Sequence, residues 1–251
     1  MRIALTVAYD GTRFHGFQRQ REEPTVQSCL EDALRTINGT AVVVRGAGRT
    51  DAGVHAFAQV VCFDPDVQIP LDRWPVAMNG LLPEGIWVKG ARLVPGDFDP
   101  VGWASWKHYR YRIRLDDGGL PFLANFAWYL MRNLDLSEME RAARGLEGVR
   151  DFASFQVSGR PVKSTVRNMH RLVVTSDQSV VSIDMIADGF LYKMARSIVG
   201  TLVEVGLGRI TPEDLWSARD AGDRSAAGPT APGHGLFLIA VGYPPDELPA
   251  D

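Results

Sequence analysis

The sequence of 251 residues predicts an α+β fold of two ferredoxin-like halves, whose mainly antiparallel sheets flank a central active-site cleft. Three observations support this fold class. The order of predicted elements over residues 2–94 is β-α-β-β-α-β. A linker rich in proline and glycine then interrupts the pattern at residues 95–100. A similar order begins again at residue 107 and closes with a strand over residues 236–243. The two halves share no sequence repeat, so the prediction that the second half resembles the first is based on element order alone.

The first half begins with a strand over residues 2–9, where apolar side chains alternate with polar ones. Thr25 is expected to cap a helix with an apolar face that ends at Asn38 and Gly39. The remaining elements of this half are predicted as strands at about 41–47 and 55–64, a short helix near 71–81 and a strand near 86–94.

The second half begins with an alternating strand over residues 107–115. Asp135 and Glu138 have the spacing of a capping box for a helix that continues to about residue 146. Thr211 and Pro212 are typical of the N-cap and first position of the last helix. Between these helices we expect strands near 166–175 and 179–188 and a helix near 190–206.

The linker divides the chain into two expected domains and a tail. We predict an N-terminal α+β domain over residues 1–102 and a C-terminal α+β domain over residues 103–245. The terminal segment 246–251 is expected to be a disordered tail, as chain termini often are.

Composition excludes several classes of protein. Hydrophobic residues make up 45% of the chain, enough for a core, and two cysteines are too few for a disulfide framework. Five scattered histidines do not suggest a metal site. The N-terminus does not resemble a signal peptide, and the longest apolar stretch, residues 190–208, contains three charged residues. We therefore predict a cytoplasmic protein with no metal and no membrane association.

Positive charge is concentrated locally although the formal net charge is −3. Residues 103–115 and 160–171 each contain four cations and no acid. Arg110, Lys163 and Arg167 in these stretches could contact an RNA backbone, because arginine and lysine neutralise phosphates. The alternative is that both stretches are solvated strand faces, and charge alone does not decide between them.

The segment most informative about chemistry is GRTDAGVHA, residues 48–56, between two predicted strands. Its two glycines allow the backbone to approach a ligand closely, and Asp51 lies at the tip beside Arg49. From the residues alone, an aspartate in such a loop more often caps a backbone amide than performs catalysis.

This nine-residue segment resembles the catalytic signature of the tRNA pseudouridine synthases of the TruA type. The resemblance implies that Asp51 is the catalytic aspartate of a homodimeric isomerase, which converts uridines 38, 39 and 40 of the tRNA anticodon arm to pseudouridine. It extends over most of the chain, through YDGTRFHGFQRQ (9–20), HYRYRI (108–113), DFASF (151–155), STVRNM (164–169), GFLYKMARSIVGTLVEVGLGR (189–209) and AAGPTAPGHGLFLIAV (226–241).

The resemblance also implies that Tyr109 is the active-site tyrosine and Arg196 its basic partner. Tyr109 would stack on a base, and we expect Tyr111 on the opposite sheet face, so that only Tyr109 enters the site. Arg196 would keep the Asp51 carboxylate ionised across the cleft, and Arg49 would fill the space of the flipped base or hold a phosphate. From sequence alone, Tyr109 is more simply a half-buried strand residue and Arg196 a residue that extends to solvent.

The chemistry implied needs no cofactor. The glycosidic C–N bond breaks, the base rotates and carbon 5 bonds to the ribose, so one carboxylate beside the sugar is the minimal catalyst. Whether Asp51 acts as nucleophile at C1′ or removes the C2′ proton is left open. A non-catalytic RNA-binding module of the RRM type shares the element order, but the chain lacks an RNP1-like string. A hydrolytic glycosidase would need a second acid, and the loop around Asp51 offers none.

Overall fold

A computed structural model of the chain describes residues 1–116, 120–157 and 162–245. The expected disordered tail, residues 246–251, lies outside the described residues. The chain divides into two compact units: unit 1 is Met1–Ser105 with Phe237–Asp251, and unit 2 is Trp106–Leu236. Helices and strands are mixed in both units, which confirms the predicted α+β class.

Unit 1 follows the predicted β-α-β-β-α-β order. The elements are β1 (Arg2–Tyr9), α1 (Val26–Asn38), β2 (Arg45–Gly46), β3 (His55–Phe63), α2 (Trp74–Asn79) and β4 (Ile86–Val94). Strand β1 is antiparallel to both β3 and β4, and β2 pairs with the other edge of β3. Strand β3 thus lies between β1 and β2, and β1 lies between β3 and β4, as in the split β-α-β arrangement of ferredoxin-like domains.

Local sequence signals explain several of these boundaries. Thr25 caps α1 as predicted, and Ser28 completes a capping box by accepting a hydrogen bond from the Thr25 amide at 3.1 Å. Strand β4 lies at the end of the strand order in unit 1. There the Asn79 side chain bonds both backbone groups of Val88, at 2.7 and 3.0 Å. These two bonds occupy backbone groups that a further strand could otherwise use.

The elements of unit 2 are β5 (Trp106–Arg114), β6 (Trp128–Tyr129), α3 (Leu136–Arg144), β7 (Gly148–Asp151), β8 (Val166–Asp177), β9 (Val180–Ala187), α4 (Met194–Gly206) and α5 (Pro212–Asp220). The strands pair in the order β5-β9-β8-β7, with all three pairings antiparallel, and the short β6 lies parallel to β5. The strands β6 and β7 are absent from the elements predicted from the sequence.

The last strand, β10 (Leu236–Gly242), differs from the predicted domain assignment. The predicted second domain, residues 103–245, contains this strand, whereas unit 1 includes the chain from Phe237 onward. In unit 1, Phe237 and Leu238 pair in parallel with His55 and Ala56 of β3. Sequence order alone could not indicate this return, because strand pairing is determined by the tertiary fold.

The start of α4 and the N-terminal capping of α3 also differ from prediction. Helix α4 begins at Met194 instead of residue 190, because Lys193 adopts a left-handed conformation with φ of 58°. At α3, Asp135 accepts from the Glu138 amide at 3.1 Å, but its own amide donates to Gly206 O. The predicted capping box is therefore only half formed. Among the described residues, no helix has both the length and the apolar character to cross a bilayer.

Candidate active site

Asp51 lies in the loop between β2 and β3 of unit 1, with its neighbouring backbone groups held on both sides. The Val54 amide donates to Asp51 O at 3.1 Å, and the Phe17 amide donates to Thr50 O at 3.0 Å. Asp51 is half-buried, whereas Arg49, two residues earlier, is exposed. The loop therefore presents a carboxylate and a cation on a backbone that is fixed by hydrogen bonds.

Glycine is required where a second segment approaches this loop. Gly16 has a φ of +87°, and a Cβ there would lie 2.6 Å from Thr50 O and 3.2 Å from the Asp51 carbonyl carbon. Both the left-handed backbone and the close approach exclude larger residues. The segment similar to the family at residues 9–20 thus packs directly on the backbone that carries Asp51.

His55, the histidine of the same motif, has a structural role in unit 1. Its Nδ1 accepts a hydrogen bond from the Gly11 amide at 3.0 Å, and its ring stacks on Phe237 with a centroid separation of 4.7 Å. The imidazole is almost fully buried. It therefore links the segment that follows β1 to the start of β3 and to β10.

Tyr109 lies in β5 of unit 2, opposite Met185 of β9. It is 7% exposed, and the edge of its ring meets Phe190 at a centroid distance of 4.8 Å. The expectation that Tyr111 occupies the opposite sheet face is wrong, since residues two apart in a strand share a face. Tyr111 is fully buried, and its hydroxyl donates to Pro232 O at 2.8 Å.

Arg196 lies in the first turn of α4, also in unit 2, and is half-buried. Its Nε donates to Ala231 O at 2.7 Å, and its own carbonyl accepts from the Ala231 amide at 3.0 Å. Burial raises the pKa of Tyr111 and the positive charge of Arg196 opposes that rise. The guanidinium is therefore close enough to Tyr111 to act on it electrostatically.

Arg110, a predicted RNA contact, binds a carboxylate within the same sheet. Its Nε is 2.9 and 3.1 Å from the two oxygens of Asp184, the residue opposite it in β9. His108 Nε2 lies 2.5 Å from Asp184 Oδ1. Burial alone would raise the pKa of Asp184, but the hydrogen bonds from His108 and Arg110 outweigh it, so that the pKa is lowered.

The other predicted backbone contacts have different surroundings. The Arg167 guanidinium donates to the carbonyls of Ser164 and Val166, at 2.9 and 2.6 Å. Lys163 is exposed. Arg160 of the same basic stretch lies outside the described residues. Of this stretch, Lys163 is thus better suited than Arg167 to meet an external phosphate.

Sequence reasoning missed two side chains that support the Asp51 loop. Tyr9 has no predicted role beyond the strand over residues 2–9 and the segment 9–20, yet its hydroxyl lies 2.8 Å from Thr50 Oγ1. Gln59 was not singled out, although its Nε2 donates to Gly48 O at 2.8 Å. The available signal was a glutamine in the otherwise apolar run of β3, because a buried polar side chain requires a partner.

Comparison with known proteins agrees with the resemblance noted in the sequence. A family model described as tRNA pseudouridine synthase matches residues 5–100 and 142–244. A protein named tRNA pseudouridine synthase A from Halalkalibacterium halodurans is 43% identical over 237 residues, covering 94% of this chain and 90% of its own length. Proteins of the same name from Bacillus subtilis and Thermoanaerobacter sp. are 40% and 39% identical over 245 and 241 residues, which is 97% and 96% of this chain and 99% of each relative.

Proposed function

The chain belongs to the tRNA pseudouridine synthase family, and from that premise we propose that it converts uridines 38, 39 and 40 of the tRNA anticodon arm to pseudouridine. The observation that carries this proposal is the GRTDAGVHA loop, in which the backbone on both sides of Asp51 is hydrogen-bonded. The enzyme acts as a homodimer in the cytoplasm in this proposal.

Asp51 is proposed as the catalytic residue. The reaction breaks the bond between N1 and C1′ of uridine and forms one between C5 and C1′. The C5 proton is lost and N1 gains a proton, so atoms and electrons balance without a cofactor. Cleavage places positive character on the ribose, which an ionised carboxylate stabilises, either by bonding to C1′ or by taking the C2′ proton. Fixed backbone around Asp51 favours this role, because a misplaced carboxylate would lose most of its effect.

Tyr109, Arg196 and Arg49 are proposed as substrate-binding residues. A uridine within a stacked arm must leave the stack before its ribose can be reached. We propose that Tyr109 packs against the flipped base, that Arg196 supplies positive charge to the reacting carboxylate, and that the exposed Arg49 contacts the vacated position or a phosphate. Within unit 2, the bond from Arg196 Nε to Ala231 O restricts where the guanidinium can lie.

The test is a pseudouridine assay on tRNA that carries uridines at positions 38–40. Tritium placed at C5 of uridine should be released, because the new C–C bond replaces the C5–H bond. Asp51→Asn should reduce the single-turnover rate more than about 1000-fold with little change in tRNA Kd, since Asn keeps the shape but neither attacks nor accepts a proton.

Asp97→Asn is the matched control, because Asp97 is exposed in the linker of the same unit. We expect this variant to retain wild-type turnover. An Asp51→Asn enzyme with more than about one part in a thousand of wild-type activity would contradict the assignment of Asp51. A wild-type protein that binds the tRNA without releasing tritium would instead indicate the RNA-binding module considered above.

A further inference from the structure

Two buried side chains of unit 1 hold the loop that carries Asp51 from beneath. The Tyr9 hydroxyl, from the end of β1, shares a 2.8 Å hydrogen bond with Thr50 Oγ1. Gln59 of β3 donates from Nε2 to Gly48 O at 2.8 Å, and the same nitrogen lies 3.5 Å from the Tyr9 hydroxyl. The loop residues on either side of Arg49 are thus fixed to two paired strands.

The Gln59 amide is oriented so that Nε2 bonds Gly48 O, at the expense of leaving its own Oε1 without a hydrogen bond to any residue that the structure describes. Gln59 is fully buried, and its Oε1 has no hydrogen-bond partner among the residues described in the structure. Rotating the amide would bring Oε1 against Gly48 O, which can only accept. A buried acceptor without a partner is unfavourable, and such groups in native proteins are concentrated where function requires them.

The Tyr9 hydroxyl remains protonated through the physiological range. Burial raises its pKa to about 12, against the opposing effect of its hydrogen bonds with Thr50 and Gln59. The phenol can therefore both accept from Gln59 and donate to Thr50.

We propose that Tyr9 and Gln59 are positioning residues that hold Gly48 and Thr50, and through them the carboxylate of Asp51, in the geometry the reaction needs. This inference rests on the proposed function of Asp51. Both residues lie behind the loop and act through its backbone and through the Thr50 hydroxyl. Their effect should therefore appear in the rate of the chemical step and not in tRNA affinity, because a displacement of about 1 Å at a reacting group can cost on the order of 100-fold in rate.

The first experiment compares Tyr9→Phe with Tyr243→Phe. Tyr243 is a matched control: it is also buried in unit 1, and its hydroxyl donates to Pro100 O at 2.8 Å. Each variant loses one buried hydroxyl, so the two should show similar decreases in Tm. Only Tyr9→Phe should slow single-turnover tritium release, by about 10-fold or more, with a Kd for tRNA within about twofold of wild type.

The second experiment separates positioning from general destabilisation at Thr50. Thr50→Val keeps the shape and removes the hydroxyl, whereas Thr50→Ser keeps the hydroxyl. We expect Thr50→Val to slow the reaction as Tyr9→Phe does and Thr50→Ser to recover most of that loss. The double variant with Tyr9→Phe and Thr50→Val should be no slower than the slower single variant, because both changes break the same hydrogen bond.

The possible results distinguish this inference from the proposed function. A wild-type enzyme that forms no pseudouridine would overturn both. If the wild type is active, a single-turnover rate of Tyr9→Phe within about twofold of that of Tyr243→Phe would overturn only the positioning role. A Tyr9→Phe variant whose defect is a weaker Kd for tRNA would overturn it as well. If Tyr9→Phe does not fold, the two Thr50 variants test the positioning role instead. Equal single-turnover rates for Thr50→Val and Thr50→Ser would overturn that role.

Discussion

At the scale of single residues, cations that look equivalent in the sequence have different partners. Arg110 and Arg167 were both predicted to contact RNA, but Arg110 binds Asp184 and Arg167 donates to backbone carbonyls. Reversing the charge of either residue would therefore disturb the protein as well as any RNA contact. Lys163, which is exposed, is the better position for a test of RNA binding.

Asp184 gives a prediction about acid stability. Its pKa is lowered in the folded protein, with the hydrogen bonds from His108 and Arg110 outweighing burial. The stabilisation from its ionised form is therefore complete above pH about 4 and is lost as pH falls through the lowered folded value. Asp184→Asn should reduce stability at pH 7 by about 2 kcal/mol, or roughly 4–8 °C in Tm.

The measurement is Tm as a function of pH for wild type and variant. The two curves should converge as pH falls from about 4 through the lowered folded pKa, below which the wild-type carboxylate is also protonated. Asp177→Asn is the control, because Asp177 is exposed at the end of β8. If the difference in Tm between Asp184→Asn and wild type persists unchanged at pH 2, the ionised Asp184 does not stabilise the fold through His108 and Arg110.

At the scale of elements, helix α4 and the segment after α5 form one packed assembly in unit 2. A Cβ on Gly200 of α4 would lie 1.7 Å from Pro229 O, and one on Gly228 would lie 2.9 Å from the Thr201 Cα. The two glycines allow backbones to meet at the point where Arg196 bonds Ala231. The position of the Arg196 guanidinium thus depends on this close packing.

Gly200→Ala should consequently reduce both stability and turnover. Overpacking against a backbone carbonyl costs about 1–3 kcal/mol, and at 1.7 Å the segment must move. This displacement would carry Ala231 away from Arg196. The measurements are Tm and single-turnover rate.

Gly90→Ala is the control, because a Cβ there meets nothing within 4 Å. We expect this variant to leave Tm and rate nearly unchanged. A Gly200→Ala enzyme with wild-type Tm and wild-type rate would show that the segment yields freely and does not position Arg196.

At the scale of the whole molecule, the chain has a net charge of −3 but contains two basic stretches, residues 103–115 and 160–171. Binding of tRNA should therefore depend strongly on salt. Each phosphate contact contributes about −0.7 to −0.9 to the slope of log K against log salt. Lys163→Gln should weaken tRNA binding and reduce the magnitude of that slope by the contribution of one phosphate contact, about 0.7 to 0.9. The Tm should not change.

Arg35→Gln provides the comparison, since Arg35 is exposed on α1 and paired with Asp32 at 2.9 Å. Its removal should leave the slope unchanged. Equal slopes for wild type and Lys163→Gln would mean that this basic stretch is only a solvated surface.

The sequence alone was sufficient for features that depend on neighbours in the chain. Alternation identified β1, and Thr25 and Thr211 cap their helices as predicted, with Pro212 in the first turn of α5. The segment around Asp51 was recognisable because its residues are contiguous. Each of these signals is local, so a short window of sequence contains all of it.

Only the tertiary structure decided the partners of residues far apart in the chain. It brought Tyr9 to Thr50, 41 residues away, and Arg110 to Asp184, 74 residues away, and it returned β10 to β3. These contacts depend on strand register and on which strands are neighbours. A shift of one residue in the pairing register would move every side chain of a strand to the opposite face of the sheet. The pattern within a short segment does not say which distant residues it will contact. The sequence therefore determined most of the elements and the Asp51 loop, and the tertiary structure determined what supports that loop.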